Sequence, residues 1–142
     1  MLAVGLHAQT DANGITTFDL RFKKPNAGDY IAPKALHTIE HLLATVLRNS
    51  REKDNIVYFG PMGCRTGCYL LVFGEKTPED VLPSVLGACD FTLAFDGEIP
   101  GAQAAECGNW LEHNLPLAKY YAARYKAELL EHRRFTYPEK QS

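Results

Sequence analysis

The chain of 142 residues has no excess of charge of either sign, since fifteen Lys and Arg stand against seventeen Asp and Glu for a net charge of -2. It therefore lacks the electrostatic footprint of a nucleic-acid binder or of a protein drawn to anionic membrane. No apolar run approaches the roughly 18–20 residues that span a bilayer, so no membrane helix is expected. Residues 1–6 lack the basic stretch and apolar core of a secretory signal. Cysteine is sparse: Cys64, Cys68, Cys89 and Cys107 form no CxxC pair. Without an export signal they read as reduced thiols, which places the chain in the cytoplasm. Internal repeats, linkers and low-complexity tracts are absent. The one Trp, Trp110, and the tyrosines near the C-terminus read as packing groups rather than as a base-stacking platform.

What remains is ordinary globular material, 46% hydrophobic and 23% charged, long enough for one core without disulfide staples. The reading is a single domain over residues 1–142. Asn13-Gly14 predicts a type I′ hairpin turn between a strand near residues 2–8 and a second over 15–22. In that second run Phe18, Leu20 and Phe22 alternate with Thr17, Asp19 and Arg21, the period of a half-buried strand. Pro33 suits a first helical turn, and Leu36, Ile39, Leu43, Val46 and Leu47 recur at helical spacing. Residues 56–59 read as a strand, interrupted or bulged by the Gly-rich stretch 60–67, with a β-type run resuming over 68–73.

Thr77 as cap and Pro78 at the first position start a second helix, which either kinks at Pro83 or begins at Ser84. Asn114 caps a last helix ending near His132. Hairpin-like strands with helices between and after predict an α+β fold, an antiparallel sheet with helices packed on one face.

The chemistry concentrates in His37-Thr38-Ile39-Glu40-His41. Two imidazoles four residues apart on one helix face can bind the same metal ion, and Glu40 beside them can act as a base. HxxEH is the inverted form of a zinc-peptidase motif. Cys107, presented between Glu106 and Gly108, offers a distant thiolate that would leave a fourth position open, as catalytic sites do. Such a donor set suits Zn²⁺, Fe²⁺ or Co²⁺. Cys64 lies between Gly63 and Gly67 with Arg65 beside it, an exposed setting for a reactive thiolate. Cys68 and Cys89 read as core. Arg21 either binds a carboxylate or faces water. His7, His113 and His132 read as surface residues.

Three motifs, 37–44 (HTIEHLLA), 61–67 (PMGCRTG) and 106–108 (ECG), occur in this order with the strand 18–22 (FDLRF) and the turn 24–26 (KPN). Together they closely resemble the S-ribosylhomocysteine lyases, the LuxS family, from Gly14 to the C-terminal helix. The peptidase alternative fares worse, because inverted-motif peptidases need a glutamate ligand and a much longer chain. The resemblance implies a cytoplasmic homodimer with active sites at the subunit interface and one divalent metal per chain, natively Fe²⁺. Its ligands carry over to His37, His41 and Cys107. Glu40 and Cys64 carry over as the catalytic proton carriers. Arg21 and Arg65 would contact substrate, Arg21 holding substrate charge or steadying the Cys64 thiolate.

The implied reaction cleaves the thioether of S-ribosylhomocysteine into homocysteine and 4,5-dihydroxy-2,3-pentanedione, the precursor of the quorum-sensing signal autoinducer-2. Two departures bear on substrate recognition. The family's usual N-terminal segment, with a serine and a histidine that contact substrate, has no counterpart here, and Tyr58 stands where many members have an aspartate. They leave open an alternative, a metal-binding LuxS-like subunit without turnover. Intact Glu40 and Cys64 argue against it.

Overall fold

The structure, a computed structural model, describes residues 3–100, 102, 107, 109 and 111–132. The expectations for Trp110 and for the flanks Glu106 and Gly108 lie outside them. Four strands, β1 (Gly5–Thr10), β2 (Ile15–Arg21), β3 (Ile56–Pro61) and β4 (Gly67–Phe73), form one antiparallel sheet in the order β1-β2-β4-β3. Helices α1 (Pro33–Arg48), α2 (Pro78–Ala94) and α3 (Leu115–His132) pack with it, giving the expected α+β class.

The inward positions of the strands are apolar at period two, so Leu6, Phe18, Leu20, Phe59, Leu70 and Val72 are buried with Ile39, Leu43 and Leu47 of α1. Removing each such side chain from water stabilises the fold by about 1.5–3 kcal/mol. The outward positions of β3 and β4 differ, for Val57, Tyr58, Tyr69 and Phe73 are exposed apolar groups.

Two local expectations are corrected. The first hairpin does not use a type I′ turn: of its turn residues only Gly14 has positive φ (77°). The carboxylate of Asp11 accepts hydrogen bonds from the amides of Asn13 and Ile15 at 2.8 and 3.1 Å, which builds a longer loop and pushes β1 to Gly5–Thr10. The Gly-rich stretch interrupts the β-type run, as one of the two expectations had it, and does not bulge it. It is the turn of a second hairpin, closed by Met62 N–H to Gly67 O at 2.9 Å, and the register shift lies earlier, between Ile56 and Tyr58.

Helix α2 begins at Pro78, held by a reciprocal capping box between Thr77 and Asp80, and runs through an exposed Pro83. Asn114 caps α3 as expected, its side chain accepting from the Leu117 amide at 3.1 Å. Gly67 is required where β4 meets β2, because a Cβ there would lie 2.1 Å from the carbonyl oxygen of Leu20.

Candidate metal centre and proton-carrying residues

Helix α1 sets His37 and His41 one turn apart, and the backbone at Pro100 and Glu112 lies against them. His37 Nδ1 lies 2.7 Å from the backbone oxygen of Glu112, and His41 Nδ1 lies 2.7 Å from that of Pro100. A carbonyl oxygen only accepts, so both Nδ1 atoms carry hydrogen and both Nε2 atoms of the neutral rings present bare lone pairs. These two Nε2 atoms face each other at 3.0 Å. Opposed lone pairs at that distance repel unless a proton or a cation lies between them. Cys107 Sγ adds a soft donor 3.3 Å from His37 Nε2. The residues fit a divalent cation, and the two backbone carbonyls are the kind of outer partner that fixes metal-binding imidazoles.

His113 is not the surface residue the sequence suggested. Its ring stacks on His37 with centroids 4.2 Å apart and stands edge-on to His41 at 4.9 Å. Thr38 fixes its tautomer. The one hydroxyl hydrogen of Thr38 goes to the carbonyl of Lys34, and Oγ1 accepts from the Asn114 amide, so the 3.0 Å contact to His113 is a donation from Nδ1–H. The Nε2 lone pair of His113 is then buried with no partner among the described residues. Desolvation first, and then the neighbouring His37 and His41, push its pKa down to about 4. His37, His41 and His113 thus form a group able to hold a metal ion. The missed signal was position: His113 directly precedes the cap Asn114, and the cap ties it to α1.

Glu40 lies on the neighbouring face of the same helix. It lines a cleft of about 310 Å³ with His41, Ala44, Thr45, Arg48, Phe59 and Pro100. Buried Cys68 lies close enough to Glu40 to feel its charge, and burial together with that charge raises the Cys68 thiol far out of the reactive range. Cys89 is buried too, its thiol pushed up to about 12 by desolvation. Both are core cysteines, as expected.

The exposed Cys64 belongs to the turn between β3 and β4, beside a second cavity lined by Asn26, Tyr30, Gly63, Arg65 and Thr66. Its Sγ is 3.0 Å from the Thr66 hydroxyl. Partial burial raises the thiol, but the Thr66 hydroxyl and amide and then the Arg21 charge outweigh it, leaving the pKa below the ordinary value. Arg65 holds φ 60° in this turn, its guanidinium 5.7 Å from the ring centre of Tyr30.

Arg21 faces neither water nor an open pocket. It is buried, with Nε and Nη2 on the two carboxylate oxygens of Asp19 at 3.0 and 2.6 Å and Nη1 on Thr66 Oγ1 at 2.6 Å. The alternation in β2 identified the outward side correctly but not that its far end is covered. There His7 and Asp19 pair across β1 and β2 and are both buried, against the expectation of a surface His7. His132 is exposed beside Glu128, as expected. The structure therefore gathers His37, His41 and Cys107 at one place and Arg21 and Cys64 at another, and the two cavities share no residue.

The family model described as S-Ribosylhomocysteinase (LuxS) matches residues 3–136. The chain belongs to the LuxS family. Among its relatives, the S-ribosylhomocysteine lyase of Phocaeicola vulgatus is 50% identical over 119 residues, 83% of this chain and 74% of that protein. The S-ribosylhomocysteine lyase of Porphyromonas gingivalis W83 is 49% identical over 118 residues, 82% and 74% respectively. That of Clostridium acetobutylicum is 46% identical over 128 residues, 88% and 81%. The motifs that carried the LuxS resemblance thus mark true membership. Among the described residues no helix is long and apolar enough to cross a membrane.

Proposed function

We propose that this LuxS chain is a metal-dependent carbon–sulfur lyase that cleaves S-ribosylhomocysteine to homocysteine and 4,5-dihydroxy-2,3-pentanedione, the autoinducer-2 precursor. The observation that carries this reading is the pair of Nε2 lone pairs opposed at 3.0 Å beside Cys107, in a chain 50% identical to a relative of that name. The working unit is one domain over residues 1–142. His37, His41 and Cys107 would hold one divalent ion, natively Fe²⁺, with Zn²⁺ and Co²⁺ suited to the same donors. Bound there, the ion would supply Lewis-acid polarisation of a sugar carbonyl, which would make the adjacent C–H more acidic. His113, neutral and stacked on His37, keeps that ring in place.

The chain's own residues move the protons. Cys64 and the Glu40 carboxylate exchange protons at neighbouring sugar carbons, which carries the carbonyl along the chain. Once the carbonyl is β to the thioether, loss of the intervening proton expels the C–S bonding pair onto sulfur. Homocysteine thiolate leaves and an enone remains, so the step needs no oxidant or reductant. Arg65 lines the Cys64 cavity and would contact substrate. Arg21, already bound to Asp19 and Thr66, serves by fixing the Thr66 hydroxyl beside Cys64 rather than by holding substrate charge.

The active form is a cytoplasmic homodimer with its sites at the subunit interface. Two features support this. The Cys64 cavity and the Glu40–His41 cleft have no lining residue in common, and the outer sheet face exposes Val57, Tyr58, Tyr69 and Phe73. The reaction is tested by incubating metal-loaded protein with S-ribosylhomocysteine and trapping any vicinal dicarbonyl with 1,2-diaminobenzene. The quinoxaline of dihydroxypentanedione, formed in step with homocysteine, is the expected product. Homocysteine without it would mean that the C–S bond is broken by a reaction other than this elimination.

A further inference from the structure

We propose that Thr66 is a positioning residue for Cys64: its hydroxyl, locked by Arg21, donates its only hydrogen to Sγ and holds the sulfur as thiolate. This rests on the reading of Cys64 as a proton carrier. Arg21 has donors and no acceptor, so at the 2.6 Å contact Thr66 Oγ1 must accept from Nη1. The hydroxyl hydrogen is left with two sulfurs to choose from, the Met62 thioether at 3.9 Å and Cys64 Sγ at 3.0 Å. A thioether is a weak acceptor and a thiolate a strong, charge-assisted one, so once Cys64 gives up its proton the hydroxyl hydrogen turns to its sulfur.

Direct action by Arg21 is the competing explanation, and its geometry weakens that role. Two of its three nitrogens bind both oxygens of Asp19, so most of its charge is compensated before it reaches the sulfur. The Thr66 dipole, in contact with Sγ, is uncompensated. The other charged or titratable groups nearby are Arg65, which lies over Tyr30, and Tyr69, which interacts electrostatically with Arg21.

The backbone holds the hydroxyl still. The carbonyl of Thr66 accepts from the amides of Phe22 and Lys23 at 2.8 and 2.9 Å, and the carbonyl of Arg65 accepts from Ile31 at 2.9 Å. Thr66 is 1% exposed whereas Cys64 is exposed, so the hydroxyl approaches the sulfur from the protein side and leaves the outer side to substrate.

The test is the thiolate fraction of Cys64 against pH in metal-loaded full-length protein, read from the rate of iodoacetamide alkylation at the Cys64 peptide. Thr66→Val should raise the apparent pKa by about 1–2 units, and Thr66→Ala likewise should the β-branched variant not fold. Thr66→Ser should titrate like the parent, and the acid limb of kcat/KM should move upward with the thiol in the first two variants only. An unshifted pKa in a folded Val or Ala variant, or a Ser variant that behaves like them, would overturn the proposal. The thiol pKa is read without turnover. A Thr66-dependent thiolate in a protein that cleaves no S-ribosylhomocysteine would therefore support this role while sinking the lyase reading. A competent lyase whose thiol ignores Thr66 would do the reverse.

Discussion

At the scale of single residues, the decisive atoms are those whose proton is dictated by a neighbour that can only accept or only donate. The carbonyls of Glu112 and Pro100 take the Nδ1 hydrogens of His37 and His41 and so point both bare Nε2 atoms at one spot. Removing Cys107 as Ala should abolish stoichiometric metal, measured by elemental analysis after dialysis. His113→Ala should leave the metal bound but weaken it by about 10–100-fold, as loss of an outer partner does. The reverse ranking would make His113 the third ligand in place of Cys107. Cys64→Ala should keep its full metal content and lose about 10²–10⁴-fold in turnover. Activity near the parent level would remove Cys64 from the chemistry.

The HxxEH pair was legible because helical period is local and needs no knowledge of the rest of the chain. His113 was not, because a loop's path is set by hydrogen bonds such as that from the Asn114 amide to Thr38, which no periodicity encodes.

Among the elements, the β2–β4 pairing governs where the Cys64 turn sits. Gly67↔Arg21 and Cys68↔Leu20 are register partners, so the strand that carries Arg21 also anchors the turn's C-terminal end. Gly67→Ala would drive a Cβ into the Leu20 carbonyl and should cost about 1–3 kcal/mol in a denaturant titration. A neutral outcome there would mean that the two strands separate more easily than their pairing implies.

The helices and strands were readable to within a few residues from apolar period and from Pro33, Thr77, Pro78 and Asn114. The turns were less so. Asn-Gly favours a two-residue hairpin, yet the Asp11 carboxylate, bonding two following amides, outcompetes it. The polar side of β2 was readable as a side, but alternation does not report whether that side is covered, and Asp19 with Arg21 proved buried.

For the whole molecule, the separation of the Cys64 cavity from the imidazole cleft and the aromatic outer face of the sheet lead to one expectation about assembly. If each site joins Cys64 of one protomer to the metal residues of its partner, Cys64→Ala and His41→Ala chains, each inactive alone, should regain activity when coexpressed as mixed dimers. Mixed dimers as inactive as the separate variants would place both groups in one protomer's site.

The most direct measurement of the lyase reading is free-thiol release from S-ribosylhomocysteine by anaerobically purified protein whose metal content has been determined. With about one metal ion per chain, thiol should appear catalytically and stop when a chelator strips the ion. A fully loaded protein that releases no thiol would contradict the lyase reading, leaving a metal-binding member of the LuxS family that does not turn over this substrate.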